Sequence, residues 1–213
     1  MSVGPIQAAP DDRRVVLATR NAGKVVELRA ILADVLERLD LQLVGVEEFP
    51  HVAEVVETGV TFEANAILKA RTVAGQTGLP AFADDSGLAV EVLGGAPGVF
   101  SARWCGRHGD DEANLQLLLA QLADVPDEHR AAAFVCCAAL ALPDGRAIAR
   151  EGRFEGTLTH RPRGRGGFGY DPILQVAGRD ETAAEISAQE KNAISHRGKA
   201  FRSLAAAVPQ LLD

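Results

Sequence analysis

Two neighbouring acids, Asp84-Asp85, followed by Ser86-Gly87, stand at the end of a short apolar run from Leu79 to Ala83. Carboxylates in such a place can hold a magnesium ion or accept a proton from an attacking water. Adjacent side chains point in different directions, so only one of the two need face a substrate. The other can order a turn, and a solvated Asx turn is the plainer reading of the same letters. Ser86 is a poor nucleophile, because no GxSxG elbow surrounds it. A second segment, Thr19-Arg20-Asn21-Ala22-Gly23-Lys24, joins an apolar run to a helical pattern. Backbone N–H groups at a helix start attract phosphate, and a lysine in the first turn adds a point charge. Thr19 and Asn21 can donate further hydrogen bonds. The segment is not a Walker A loop, since Val25 follows the lysine, and a tight turn with an Asn cap would read the same way.

Two cationic and aromatic groupings extend this chemistry. In Gly167-Phe168-Gly169-Tyr170-Asp171-Pro172 the flanking glycines expose the aromatics and let backbone groups approach something flat, such as a base. Lys191, His196 and Arg197 flank a predicted helix start and can neutralise phosphate or present donors to a purine carbonyl. Arg161, Arg163 and Arg165 precede the glycine-rich segment, and the first two read mainly as a solvated loop. Glu54 and Glu57 lie in an acidic stretch, and either can complete a metal site with Asp85. Lys69 can reach a phosphate or stand in solvent.

The elements that must hold these residues follow from periodicity. Arg14 to Thr19 reads as a buried strand, Lys24 to about Leu36 as a helix, and Leu41 to Val46 as a second strand. Strand, glycine-containing turn and helix in that order point to an α/β architecture. A helix is expected from about Thr61 to Gly75, with Phe62, Ala66, Ala70 and Val73 as its apolar stripe. Asn65, Lys69 and Thr72 share another face of it. Leu88 to Val92 reads as a returning strand, and Asp110 as the cap of a helix to about Leu122. Arg130 to Leu142 and Ala147 to Phe154 flank a Pro143-Asp144-Gly145 hairpin turn. A last helix covers Ser195 to Val208, preceded by capping-box spacing at Ser187 and Glu190. With no repeat and no clean linker, residues 1–13 read as a flexible extension and 14–213 as one domain.

Composition narrows the field. Of 213 residues, 47% are hydrophobic, which suits a globular core, and the net charge of −7 argues against binding nucleic acid polymers or anionic membranes. An anionic ligand therefore needs a local cationic pocket. The 3 cysteines form no CxxC pair and read as reduced thiols. Met1 to Asp12 lacks the apolar core of a signal peptide, and no run reaches membrane-spanning length, so a cytoplasmic protein is expected.

Six segments in order resemble the inosine/xanthosine triphosphate pyrophosphatases, which clear noncanonical purine nucleotides. They are Thr19 to Lys24; Phe62-Glu63-Ala64-Asn65-Ala66 with Lys69; Ala83 to Leu88; Gly94-Gly95-Ala96-Pro97-Gly98; Gly166 to Pro172; and Ser195-His196-Arg197-Gly198. The resemblance runs from about Val15 to Leu204. It departs at Arg20, where a glycine is common, and in the longer amino-terminal extension. It implies an elongated, two-lobed α/β fold with a central mixed sheet flanked by helices and a nucleotide cleft between the lobes. It further implies a Mg2+ requirement, a homodimer, and hydrolysis of ITP, dITP or XTP between the α and β phosphates to the monophosphate and pyrophosphate. Carried onto this chain, Thr19, Arg20, Asn21, Ala22, Gly23, Lys24 and Lys69 hold phosphates, while Asp85 binds the metal and accepts the proton of the attacking water. Glu57 is the second metal ligand. Ser86 contacts substrate, Phe168, Gly169, Tyr170, Asp171 and Lys191 line the nucleoside side, and His196 and Arg197 address the base. A phosphotransferase acting at the γ-phosphate and a non-catalytic nucleotide- or RNA-binding module are the competing classes. The missing Walker A pattern counts against the first and the acidic balance against RNA.

Overall fold

A computed structural model describes residues 12–20 and 22–212; Asn21 and most of the 1–13 extension lie outside them. The order is β1 (Arg14–Leu17), α1 (Ala22–Leu39), β2 (Gln42–Gly45), α2 (Phe62–Thr77), β3 (Ala81–Val90), α3 (Asp111–Gln121), β4 (Ala131–Ala141), β5 (Ala147–Leu158), β6 (Leu174–Val176), α4 (Ala188–Ile194) and α5 (His196–Leu212). One six-stranded sheet runs β2-β1-β3-β4-β5-β6. β1 pairs in parallel with β2 and with β3, whereas β5 and β6 are antiparallel, so the sheet is mixed. This is the α/β class with flanking helices that the sequence predicts. Val15, Val16 and Leu17 are all buried, as a strand covered on both faces requires.

The chain divides into two compact units. The first holds the chain up to Asp85, Cys137–Gly152 and everything from Arg197 on; the second holds Ser86–Cys136 and Arg153–His196. Strands β3, β4 and β5 contribute residues to both. The first unit has a core of Val16, Val44, Val73, Leu79, Ala81 and Ala139, among others. The second gathers Leu88, Leu118, Phe154, Ile173 and Leu174.

Local chemistry sets the helix ends. The Thr61 hydroxyl accepts from Ala64 N at 3.1 Å and opens α2, and Gly78, in the left-handed region, closes it by donating to Ala74 O. Asp110 caps α3 through Ala113 N. Ser187 accepts from Glu190 N, and the helix it starts is α4, separate from α5 because Ser195 breaks to extended backbone. One expectation is corrected here. Asp84 to Gly87 does not turn between two short strands; it is the middle of the ten-residue strand β3.

Candidate active site

In the first unit the acids and cations converge. An extended strand sends successive side chains to opposite faces, so Asp84 and Asp85 meet different partners. Asp84 is fully enclosed and pairs with Lys24 Nζ at 3.0 Å and Arg197 Nε at 3.3 Å. Burial by itself would push its pKa up, but the two cations outweigh it and hold the carboxyl far below the usual range. Asp85 accepts from Asn65 Nδ2 at 3.0 Å and from Lys69 Nζ at 3.3 Å. Burial, joined by repulsion from Glu57, raises its pKa despite Lys69 and Asn65. Lys69 also donates to Glu57 Oε1 at 2.8 Å. Burial works against its charge, yet Asp85, Asp84 and Glu57 together raise its pKa, so the ammonium stays protonated at neutral pH.

These contacts realise the face expected on α2. Asn65 and Lys69 stand one turn apart, and both reach Asp85. Arg20 instead donates to Val52 O at 2.8 Å, Glu54 is exposed, and Asn21 lies outside the described residues. Among the described residues no group of three or more His, Cys, Asp or Glu closes on one point. Two carboxylates, Asp85 and Glu57, do share one ammonium, and magnesium is commonly held by one or two carboxylates together with substrate phosphates. The donor set fits such an ion.

In the second unit the glycine-rich segment is tied down from several sides. Asp171 Oδ2 accepts from Phe168 N at 2.8 Å and from Lys191 Nζ at 2.5 Å. Lys191 also sits 5.5 Å from the Phe168 ring centroid, while that ring remains 43% exposed. Gly169 N donates to Asp111 Oδ2 at 3.0 Å, and the Tyr170 hydroxyl to Ser101 O at 2.9 Å. Ser101 in turn accepts from Leu88 N, two residues beyond the half-buried Ser86. The buried His196 ring stacks on Phe134, with centroids 5.1 Å apart and planes at 20°. Phe168 to Asp171 and Lys191 are thus brought together as expected. Asp111, Ser101 and Phe134 escaped the sequence reading, because each acts through a partner far away in the chain and none carries a local motif of its own.

The model of the Ham1 family matches residues 15–207, which include all six motif segments and both groups of side chains just described. The chain belongs to the Ham1 family. A Streptomyces coelicolor protein named dITP/XTP pyrophosphatase is 65% identical, the match covering 93% of this chain and 98% of that one. The solved structure of a Ham1 protein from Coxiella burnetii superposes with a TM-score of 0.83 at 43% identity, covering 92% of this chain and 98% of that one. A Mycobacterium abscessus nucleoside-triphosphatase / dITP/XTP pyrophosphatase gives a TM-score of 0.76 at 50% identity, covering 93% and 99%. These are the names that the motifs lead one to expect of Ham1 relatives.

Proposed function

We propose that this Ham1 protein hydrolyses dITP, ITP and XTP to the nucleoside monophosphate and pyrophosphate, with water attacking the α-phosphate. The observation that carries the reading is the Asp85 carboxylate, buried and held between an amide and an ammonium. It is supported by the 65% identity to a named dITP/XTP pyrophosphatase. A carboxylate whose pKa burial has raised is a better proton acceptor than an ordinary aspartate. Lys69 steadies that carboxylate and offers its positive charge to a phosphate. Lys24 and Arg197, fastened by Asp84, supply further positive charge, and the segment Thr19 to Gly23 is assigned to hold phosphate with them. Asp85 and Glu57 would hold Mg2+, which when bound offsets phosphate charge and makes the phosphorus a better electrophile. Positioning and charge stabilisation then account for most of the rate.

On the nucleoside side, Ser86, Lys191 and Phe168 to Asp171 contact the substrate, and His196 and Arg197 address the base. Donors aimed at C6 suit a keto oxygen, whereas the adenine amino group would leave them unpaired, a mismatch worth a factor of about 10⁴. Guanine shares the keto group, so its rejection must come from the 2-amino position. The protein acts as a cytoplasmic homodimer in this reading; among the described residues no helix is long and apolar enough to cross a membrane.

Product analysis with Mg2+ and dITP, beside XTP, ATP and GTP, tests the proposal. Monophosphate plus pyrophosphate from dITP and XTP alone is the expected result. Diphosphate plus phosphate would move cleavage to the γ-phosphate and overturn it. An Asp85→Asn variant should still bind dITP by calorimetry while losing turnover by at least about 10²-fold.

A further inference from the structure

Asn65 is 1% exposed, and both ends of its amide are committed. Gly59 N donates to its Oδ1 at 2.7 Å, and its Nδ2 donates to Asp85 Oδ2 at 3.0 Å. A backbone N–H can only donate, so Gly59 dictates which way the amide is turned and directs its NH2 to the carboxylate. The approach is close: a Cβ added at Gly59 would fall 2.6 Å from Asn65 Oδ1. Gly59 lies two residues beyond Glu57, whose carboxylate meets the same ammonium, Lys69 Nζ, as the other Asp85 oxygen.

We infer that Asn65 is a positioning residue for hydrolysis, one amide both fixing the rotation of the Asp85 carboxylate and anchoring the loop that carries Glu57. Lys69 cannot do this alone, because an ammonium on a flexible stem is a point charge that sets no plane. A planar amide held at its far end does set one. With Oδ2 occupied by a neutral donor, the Oδ1 side of Asp85 is presented to Lys69 and to the reacting water. The inference rests on the proposed role of Asp85 as proton acceptor and adds the group that aims it.

The isosteric Asn65→Asp variant separates the two bonds. It can still accept from Gly59 N, but where the amide donated to Asp85 it sets a second carboxylate against it. With dITP and Mg2+, kcat is expected to fall about 10- to 100-fold, the usual cost of losing a hydrogen-bonding partner behind a metal or catalytic ligand, with KM within about threefold. The Gly59 amide should stay protected from hydrogen exchange in Asn65→Asp and lose protection in Asn65→Ala, which shows the same fall in kcat. If Asn65→Asp does not fold, Asn65→Ser, too short to span both partners, carries the same kcat test. A kcat within threefold of wild type in the folded variants, or a loss confined to KM, overturns the inference alone. A wild-type protein that releases no pyrophosphate overturns the functional reading beneath it.

Discussion

Asp84 and Asp85 are neighbours in the chain and electrostatic opposites. Asp84 is a buried counter-ion for Lys24 and Arg197, its charge secured by both; Asp85 is the proposed base, its proton affinity raised by burial. Replacing Asp84 by Asn leaves Lys24 and Arg197 without their buried counter-charge. That loss should cost about 3 kcal/mol in a urea denaturation series, and an unshifted midpoint would show the pair to be screened. Gly167 is constrained twice. Its φ is +73°, and a Cβ there would fall 1.9 Å from Asp171 Oδ2, an oxygen already bound to Phe168 N and Lys191. Gly167→Ala should therefore displace the Phe168 turn and raise KM for dITP about tenfold, near 1.4 kcal/mol, while kcat stays within about threefold. An unchanged KM would remove this turn from the nucleoside side.

Among the elements, α2 matters most to the proposed chemistry, because its first turns carry Asn65 and Lys69. Its cap is a single hydroxyl, so Thr61→Ala should lower stability by about 1 kcal/mol in the same denaturation series. A different device closes the second unit. Arg130, 1% exposed, donates to Leu122 O at 2.6 Å, Leu158 O at 2.7 Å and Thr159 O at 3.1 Å, joining the end of α3 to the end of β5. A guanidinium serving carbonyls instead of a carboxylate is a staple, and burial lowers its pKa. Arg130→Met keeps the apolar stem but strands those acceptors. A loss of about 3 kcal/mol is expected.

The whole molecule is acidic, with a net charge of −7, yet the enclosed cations Lys24, Lys69 and Arg197 of the first unit lie where the phosphates are proposed to bind. Sedimentation velocity tests the proposed homodimer, whose sedimenting mass should be twice that of one chain. The adjacent thiols of β4, Cys136 and Cys137, are both buried and should resist thiol reagents until the protein unfolds. Burial pushes Cys137 from an ordinary 9.0 up to about 12. Between those values the unfolded chain gives up a proton that the native state keeps. Its contribution to stability is thus complete below pH 9 and lost as pH rises towards 12, by at most about 1.4 kcal/mol per unit. Cys137→Ala should show a shallower alkaline fall than wild type in denaturation measured across that range.

Much of this was legible in the order of residues alone. Helical spacing set Asn65 and Lys69 on one face of α2, and six short motifs in sequence pointed to the family. These signals are local, arising within a few residues along the backbone. The run Asp84 to Gly87 is local too, and its letters favour a turn. Only the sheet overrode them, carrying these residues as the middle of a ten-residue strand that lies beside β4. The partners of Asp84 were equally hidden, since Lys24 is 60 positions away along the chain and Arg197 113. The sequence by itself determined which residue types could do the chemistry and the helix that carries Asn65 and Lys69. The tertiary structure decided which acid is clamped between two cations and which meets an amide and a shared ammonium, because charge and burial act through space and have no memory of distance along the chain.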